Sequence, residues 1–147
     1  MSKLKLRVEK NESVEAFDEP YIIAEVGTNH DQSLSKCKQL VEAVAEAGFD
    51  CVKFQTYEPY EIVSNEVRAS DYGLDTYYGD ISAYKMFDQF LKTPKEWFPE
   101  LIEFARSLGL DVATTLHGDH GISWAKNLDF DLIKVASMDH NNFPFLR

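Results

Sequence analysis

Three stretches of this chain begin in the same way, with a bulky apolar residue and an aspartate before a run of apolar residues. The three pairs are Phe49-Asp50, Leu110-Asp111 and Phe130-Asp131. Continuous apolar runs are typical of strands that are buried on both faces of a parallel sheet. Segments with apolar residues at helical spacing separate the runs, so strands and helices alternate. This alternation predicts parallel strands that are joined by right-handed crossover helices.

The alternating order also indicates the fold class. Because the βα order is not interrupted, a (β/α)8 TIM barrel is favoured over a doubly wound sheet. Such a barrel has about 250 residues, so four strands in 147 residues supply roughly the first four βα units, the amino-terminal half. We expect residues 19–147 to form these units and residues 1–18 to form an amino-terminal cap or hairpin. The expected strands are Tyr21–Gly27, Cys51–Tyr57, Leu110–Thr115 and Asp131–Ala136. The expected helices are Leu34–Ala47 with Ser33 as N-cap, an amphipathic stretch at Ile81–Leu91, a helix capped by Thr93 and ended by Gly109, and Asp119–Asn127 opened by Asp119.

Polar residues recur at a fixed place in these strands. Lys53, Thr114 and Lys134 each stand three residues beyond the aspartate of their strand, and Glu25 comes near the end of the first strand. Side chains alternate along a strand, so Lys53 lies on the face opposite Val52. Polar side chains at one depth of parallel strands imply a shared ligand site at the carboxyl ends of the strands. Two lysines in such a site indicate an anionic ligand.

Less specific interpretations of these residues stay open. Lys53 could be a salt-bridged lysine whose stem covers apolar surface, and Glu25 could be an interior carboxylate paired with one of the lysines. His117 and His120 have the spacing of a metal-binding pair. Two histidines without a third ligand bind metal poorly, however, and a helix start capped by Asp119 explains the segment as well.

The stretch Glu58–Gly79, which is rich in tyrosine, acids and glycine, is longer than a simple strand-to-helix connection. Segments of this length are usually functional or have structure of their own. The sequence leaves open whether this stretch is a lid over a substrate or a packed excursion on the surface.

The charge of the chain limits its partners. The formal net charge is -10 and the isoelectric point is about 4.8. Nucleic acid and anionic membrane are therefore excluded as partners, because the summed field repels polyanions. A small anionic ligand is still allowed, since lysines in a dry pocket outweigh distant surface carboxylates that salt screens.

The cysteines and the apolar runs indicate the compartment. Cys37 and Cys51 fall at apolar positions of their elements, so we expect two reduced thiols in the core. No apolar run approaches the roughly 20 residues of a membrane span, and Met1–Lys10 has no apolar region of a signal peptide. We therefore expect a cytoplasmic protein.

Several motifs in consecutive order resemble the sialic acid synthase family, over about residues 19–143. The most specific parts are Ile23–His30 (Ile-Ala-Glu-Val-Gly-Thr-Asn-His) and Ala47–Asp50 followed by Val52–Tyr57 (Val-Lys-Phe-Gln-Thr-Tyr). Weaker parts are Thr93-Pro94 with its helix and Ile133–Ser137 followed by Asn141–Pro144. The family comprises enzymes that build N-acetylneuraminate and related nonulosonates from phosphoenolpyruvate.

The resemblance implies a reaction. Phosphoenolpyruvate condenses with the aldehyde of an open-chain N-acyl hexosamine such as N-acetylmannosamine, and phosphate is released. Carried over by position, phosphoenolpyruvate would be held by Lys53, Thr115, Lys134 and Ser137. Gln55 and Asn29 would contact the sugar, and Glu25 and Asp139 would be the acidic residues near the reacting carbons. A trianionic substrate needs fixed cations and hydroxyl donors, and the proton steps need an acid–base group, which agrees with these residue types.

The chain departs from the family pattern in three places. Asp31-Gln32 stands where a glycine is usual soon after the Asn-His pair. The Ser-Thr-Pro-Phe loop appears as Thr114–His117, and Gly-Ser-Gly-Glu appears as Ala136–Asp139 with an acid one methylene shorter. These changes could signal a different nonulosonate substrate or reduced activity. The spacing of the repeat selects Thr114 where the family match selects Thr115, on the opposite face; we prefer Thr115 because its motif is longer.

The resemblance also implies a divalent metal, manganese or magnesium, held by histidines on later strands, and a homodimer in which a small antifreeze-like domain reaches into the partner's site. We expect the segment alone to lack the metal site and to be inactive as a synthase. The alternative is a non-catalytic half-barrel that binds a phosphorylated ligand or a partner subunit. A related phosphoenolpyruvate aldolase acting on a phosphorylated pentose is disfavoured by the Asn-His and Lys-Phe-Gln-Thr-Tyr motifs.

Overall fold

The computed structural model describes residues 20–147, so the cap or hairpin expected at residues 1–18 lies outside the described residues. A sheet of four parallel strands, which lie side by side in chain order, forms the centre of the fold. The strands are β1 (Ile23–Glu25), β2 (Cys51–Thr56), β3 (Asp111–Leu116) and β4 (Leu132–Val135). This is the strand order that the alternating sequence predicts.

Helices connect the strands. In the described segment they are α1 (Leu34–Glu46), α2 (Pro59–Ile62), α3 (Asp75–Tyr78), α4 (Ala83–Met86), α5 (Phe98–Ser107), α6 (Gly118–Ala125) and α7 (Phe143–Leu146). A π-helical turn at Phe87–Leu91 follows α4, and 3-10 turns lie at Ala69–Tyr72, Lys95–Trp97 and Ser137–Asp139. None of the helices in residues 20–147 is both long and apolar enough to cross a bilayer.

Helix α1 forms where the local sequence predicts it. Ser33 has an extended backbone, and its hydroxyl accepts a hydrogen bond from the backbone N–H of Lys36 at 3.3 Å. An N-cap of this kind satisfies one of the free donors at a helix start. Cys37, Val41 and Val44 are buried, so the helix packs one apolar face against the sheet. The predicted N-cap and the predicted apolar face are confirmed.

The predicted starts of two later helices are wrong. Thr93 does not cap a helix, because helical structure begins at Lys95, two residues further on, and the Thr93 hydroxyl contacts the loop after β1 instead. Helix α6 begins one residue earlier than predicted. Its N-cap is His117. Asp119 lies in the first turn, where its negative charge interacts favourably with the helix dipole, but it does not cap the helix.

The main hydrophobic core lies between one face of the sheet and the helices α1 and α5. Two aromatic rings in it, Phe54 of β2 and Phe98 of α5, pack edge to face with their centroids 6.0 Å apart. Both cysteines are free and buried, as predicted. The fully or nearly buried members of this core are Val26, Cys37, Val41, Val44, Val52, Phe54, Phe98, Leu101, Ile102, Ala105, Leu110 and Val112.

The stretch between β2 and α5 has structure of its own. Its short helices pack around a second apolar cluster, with Ala69, Ala83 and Met86 at its centre. An ion pair between Arg68 and Asp80, with 2.7 Å between Nε and Oδ1, ties its two halves together. The description of this stretch as a packed excursion therefore fits the structure.

The outer strands β1 and β4 are more exposed than the predicted buried strands. Ile23 is 37% exposed, Ile133 is 50% exposed and Val135 is 40% exposed. Each of these strands has a neighbour on one side only within residues 20–147. The central strands β2 and β3 are buried almost throughout, as expected for strands with neighbours on both sides.

Candidate active site

The two faces of the sheet differ in chemistry. On the face that packs against the helices lie Val52, Phe54 and Thr114, and the hydroxyl of Thr114 is 2.6 Å from that of Thr56. The opposite face carries the charged and polar residues of the predicted site. Gln55 aligns with Thr115, and Thr115 aligns with Lys134, so these three share that face with Lys53.

The register explains why the sequence offered two threonines. Asp111 aligns with Cys51 rather than with Asp50, and Ala113 aligns with Leu132, so each strand is displaced by one residue from its neighbour. A barrel of eight strands with a shear of about 8 has this average displacement, and alternate strands supply the side chains of one interior layer. Lys53 and Lys134, which are two strands and two such steps apart, therefore face the same side of the sheet. Thr114, one step from Lys53, faces the helices, whereas Thr115 faces the same side as the lysines.

Glu25 forms an ion pair with Lys53. The Nζ atom of Lys53 lies 2.9 Å from Oε2 of Glu25, and Nε2 of Gln55 donates to Oε1 at 3.2 Å. Burial raises the pKa of Glu25. This effect is outweighed by the hydrogen bonds from Lys53 and Gln55 and by the charges of Lys53 and Lys134, so the pKa of Glu25 is below its ordinary value. Glu25 is therefore a carboxylate at neutral pH and a poor proton donor. The pairing of Glu25 with one of the lysines is confirmed, but the Glu25 side chain is half exposed rather than interior.

Lys134 is exposed, and no carboxylate of the described residues forms an ion pair with it. Its charge contributes to lowering the pKa values of both Glu25 and His117. The structure thus brings both lysines to one face beside one carboxylate. Their positive charges are available to an anion at the carboxyl ends of the strands.

The remaining predicted site residues lie in the segments that follow the outer strands. Ser137 is exposed and begins the 3-10 turn after β4, and Asp139 ends this turn with its side chain 13% exposed. Asn29 is exposed in the loop after β1. Asp139 contacts His117, whereas Asn29 and Ser137 take part in no described side-chain contact with the lysines.

Two residues of this face were missed by the sequence interpretation. Tyr57 and His117 lie two residues beyond the aligned pair Gln55 and Thr115, so they continue the same face past the ends of β2 and β3. The His117 backbone N–H donates to the Thr56 carbonyl at 3.1 Å. The two rings meet edge to face with centroids 5.9 Å apart. The same alternation that selected Lys53 and Gln55 could have identified both residues, had it been followed beyond the strand ends.

His30, from the Asn-His motif, is buried and shapes the loop after β1. Its Nδ1 accepts from the backbone N–H of Gln32 at 3.2 Å, so Nε2 carries the proton and donates to the Thr93 hydroxyl at 3.1 Å. That hydroxyl donates in turn to the Gly27 carbonyl at 3.3 Å. Burial lowers the pKa of His30 against the opposing charge of Asp31. With both nitrogens occupied, His30 has a structural role.

The described residues do not fit a metal site. No three His, Cys, Asp or Glu side chains in residues 20–147 are grouped closely enough to hold a metal ion. His117 and His120 do not converge, because His120 contacts Glu61 and Tyr60 whereas His117 faces Asp139. No chemical step at this site is therefore assigned to a metal.

The fold and the site together define a class of protein. A parallel sheet in chain order that carries charged side chains at the carboxyl ends of its strands forms part of the wall of a TIM barrel, whose ligands bind at that end. The sequence profile of the NeuB family matches residues 40–147, so the chain belongs to the NeuB family. The family resemblance and the fold class predicted from the sequence are confirmed.

Curated relatives carry related names. The chain is 32% identical over 120 residues to a pseudaminic acid synthase of Helicobacter pylori. The matched region covers 82% of the chain and 35% of that relative. The chain is also 32% identical to an N,N'-diacetyllegionaminic acid synthase of Legionella pneumophila, with 86% of the chain and 35% of the relative covered. The chain thus spans about a third of the length of these relatives.

Solved structures share the fold. A sialic acid synthetase of Leptospira borgpetersenii superposes with a TM-score of 0.67 at 22% identity, over 88% of the chain and 40% of that protein. The spore coat polysaccharide biosynthesis protein SpsE of Bacillus subtilis superposes with a TM-score of 0.62 at 28% identity, over 88% of the chain and 33% of that protein. Both matches place the chain in part of a larger barrel.

Proposed function

We propose that the protein containing this chain condenses phosphoenolpyruvate with an N-acyl hexosamine to give a nonulosonate and phosphate. Carbon 3 of the enol attacks the aldehyde carbon, water adds at carbon 2, and the bond between carbon 2 and the phosphate oxygen breaks. Membership of the NeuB family and the names of the relatives support a synthase of this kind. The proposal includes a divalent metal, manganese or magnesium, with ligands outside the described residues, and a homodimer in the cytoplasm.

The observation that carries the proposal is the pair of lysines on one face of the sheet. Lys53 and Lys134 face the same side, and Thr115, which aligns with Lys134, faces that side as well. Two ammonium groups and a hydroxyl are the donors that the phosphate and carboxylate of phosphoenolpyruvate require. The electrostatic attraction of fixed cations at a strand end would bind the anion and stabilise the charge that shifts onto phosphate as the bond breaks.

A phosphate-release assay tests the proposal. The intact protein, with manganese or magnesium, is mixed with phosphoenolpyruvate and each member of a panel of N-acyl hexosamines, including N-acetylmannosamine and diacylated sugars. We expect release of phosphate that depends on both substrates and is fastest with one acyl pattern. Binding of phosphoenolpyruvate without release of phosphate for any acceptor would favour the non-catalytic half-barrel instead.

A further inference from the structure

Burial leaves two polar atoms without a partner on the site face. The hydroxyl of Tyr57 and Nδ1 of His117 are inaccessible to solvent, and neither has a hydrogen-bond partner among residues 20–147. Tyr57 as a whole is 2% exposed, and the His117 side chain is 12% exposed. Buried polar groups nearly always have a partner, since leaving one unpaired costs free energy. Two such groups with touching rings indicate a place where a bound polar group completes the site.

Asp139 lies next to the unpaired nitrogen of His117. The distance from Nδ1 to Oδ2 of Asp139 is 3.8 Å, which is longer than a hydrogen bond, and both side chains are nearly buried. Contacts between catalytic groups are often long without substrate and shorten when substrate binds. An Nδ1–H that donates to a carboxylate leaves Nε2 with its lone pair free to accept a proton.

The groups around His117 favour its neutral form. Burial lowers its pKa most, the charge of Lys134 lowers it further, and the charges of Asp139 and Glu61 act in the opposite direction without reversing the shift. The imidazole is therefore neutral at pH 7 and can accept a proton. Burial also raises the pKa of Tyr57, so its hydroxyl stays protonated and can donate a hydrogen bond.

We infer that His117, oriented by Asp139, is a further acid–base group of this site and carries the proton in the proposed condensation, on which this inference rests. In that reaction the water that adds at carbon 2 loses one proton, and the oxygen of the former aldehyde gains one. Nε2 of His117 takes the first proton and returns it to the second oxygen. The remaining hydroxyl proton at carbon 2 leaves with phosphate as the carbonyl forms. All protons balance, and the enzyme returns to its starting state.

The two acidic side chains of the site differ in their neighbours. Asp139 faces the imidazole of His117. Glu25, which is held as a carboxylate by Lys53 and Gln55, is less suited to exchange a proton.

Kinetic measurements on His117 variants of the intact protein test the inference. His117→Phe keeps a ring against Tyr57 and removes only the nitrogens, so we expect kcat to fall by about 10²–10³-fold with little change in KM for phosphoenolpyruvate. The fall in rate on the acidic side of the pH profile, where the wild-type imidazole becomes protonated, should disappear. Free imidazole should partly restore the rate of His117→Ala. His120→Gln, which changes an exposed histidine three residues away, is the matched control and should keep the wild-type rate.

A second readout follows Asp139 without relying on activity. An NMR titration of the His117 ring should give a lower pKa in Asp139→Asn than in the wild type, since the neighbouring negative charge is lost. An unchanged ring pKa would overturn the orienting role of Asp139. If the wild type releases phosphate but His117→Phe keeps its rate and pH profile, the inference alone is wrong. If the wild type releases no phosphate with any acceptor, the proposed function fails and the inference fails with it.

Discussion

At the scale of single residues, Lys53 already has a carboxylate beside it. A carboxylate oxygen of Glu25 lies 2.9 Å from the ammonium group of Lys53, and a hydrogen bond from Gln55 stabilises the negative charge of Glu25. An incoming phosphate would therefore share Lys53 with Glu25 and draw most of its additional attraction from Lys134, which has no ion-pair partner in the described part of the chain. The two lysines consequently differ in role, one fixed in place by its partner and one exposed.

Replacing Lys53 by alanine should weaken the binding of phosphoenolpyruvate by about 2 to 4 kcal/mol, because a charge-assisted contact in a nearly buried position is lost. The affinity for the sugar should hardly change. Titration calorimetry of the intact protein with each substrate measures both effects. Lys38→Ala is the matched control, since Lys38 pairs with Glu100 on the helix layer at 2.5 Å. Equal losses for both substrates would argue against contact with phosphate.

One buried histidine, His30, and one nearly buried histidine, His117, should make stability depend on pH. Burial lowers the pKa values of His30 and His117 below the ordinary 6.5. The unfolded chain then binds more protons than the folded one, so their contribution is complete above pH 6.5 and is lost as pH falls through the lowered values. We expect the free energy of unfolding, measured by denaturant titration, to decrease from pH 7 to pH 5. The contribution of Glu25 to stability is lost only at more acidic pH, below about 4.5, because its folded-state pKa is lowered from that value.

His30→Gln is the control for this pH dependence. Glutamine keeps a hydrogen-bonding side chain in the buried position but does not titrate, so part of the decrease between pH 7 and pH 5 should be absent. A wild-type stability that stays constant or rises towards pH 5 would contradict the assignment of neutral, buried histidines.

At the scale of elements, helices α2 and α6 are joined by one carboxylate. Oε1 of Glu61 accepts from the backbone N–H of His120 at 3.0 Å and lies 3.1 Å from its Nδ1. Gly118, at the start of α6, has φ +61°, and a Cβ atom there would collide with the Glu61 side chain. The glycine thus allows both the left-handed turn and the contact that places α2 beside α6.

Gly118→Ala should destabilise the protein by more than the backbone strain alone, which is about 1 to 3 kcal/mol for a residue other than glycine in this region. Gly73→Ala is the matched control, since Gly73 has φ +69° and open space around its Cβ position. Denaturant titration of both variants gives the difference. The excess should vanish in a Glu61→Ala background. Equal losses for Gly118→Ala and Gly73→Ala would show that Glu61 moves aside freely.

Elements whose signals are local were predictable from the sequence, and those fixed by distant partners were not. The Ser33 cap needs only the N–H of Lys36, three residues away, so α1 was predicted correctly. Thr93 has an equally good capping pattern, but its hydroxyl contacts Gly27 and His30, more than 60 residues away. Strand alternation selects the site residues Lys53 and Gln55. The meeting of His117 with Asp139 depends on how two strand ends converge, which no local pattern contains.

At the scale of the whole molecule, both outer strands present apolar side chains to solvent. Ile133 and Val135 lie on the helix-facing side of β4 and are 50% and 40% exposed. Ile23 of β1 is 37% exposed at the other edge. Open strand edges with apolar side chains favour pairing with further strands. In the fold class of this chain, the neighbouring strands of a barrel would cover such edges.

A polypeptide of residues 20–147 produced alone should therefore associate with itself. Sedimentation velocity should show a sedimentation coefficient that rises with concentration, and Ile133→Thr with Val135→Thr should reduce the association while keeping β-branched side chains in the strand. Tyr77→Ser is the control, because Tyr77 is 80% exposed in α3, away from the strand edges. A stable, compact monomer at all concentrations would contradict this prediction.

The two buried thiols can report when the elements around them open. Cys37 of α1 and Cys51 of β2 are both fully buried, and burial raises the pKa of each thiol to about 11. Alkylating reagents attack thiolates that they can reach, so neither sulfur should react until its element separates from the core. Pulsed alkylation followed by mass spectrometry would time the opening of α1 and of the central strand separately, without any introduced label.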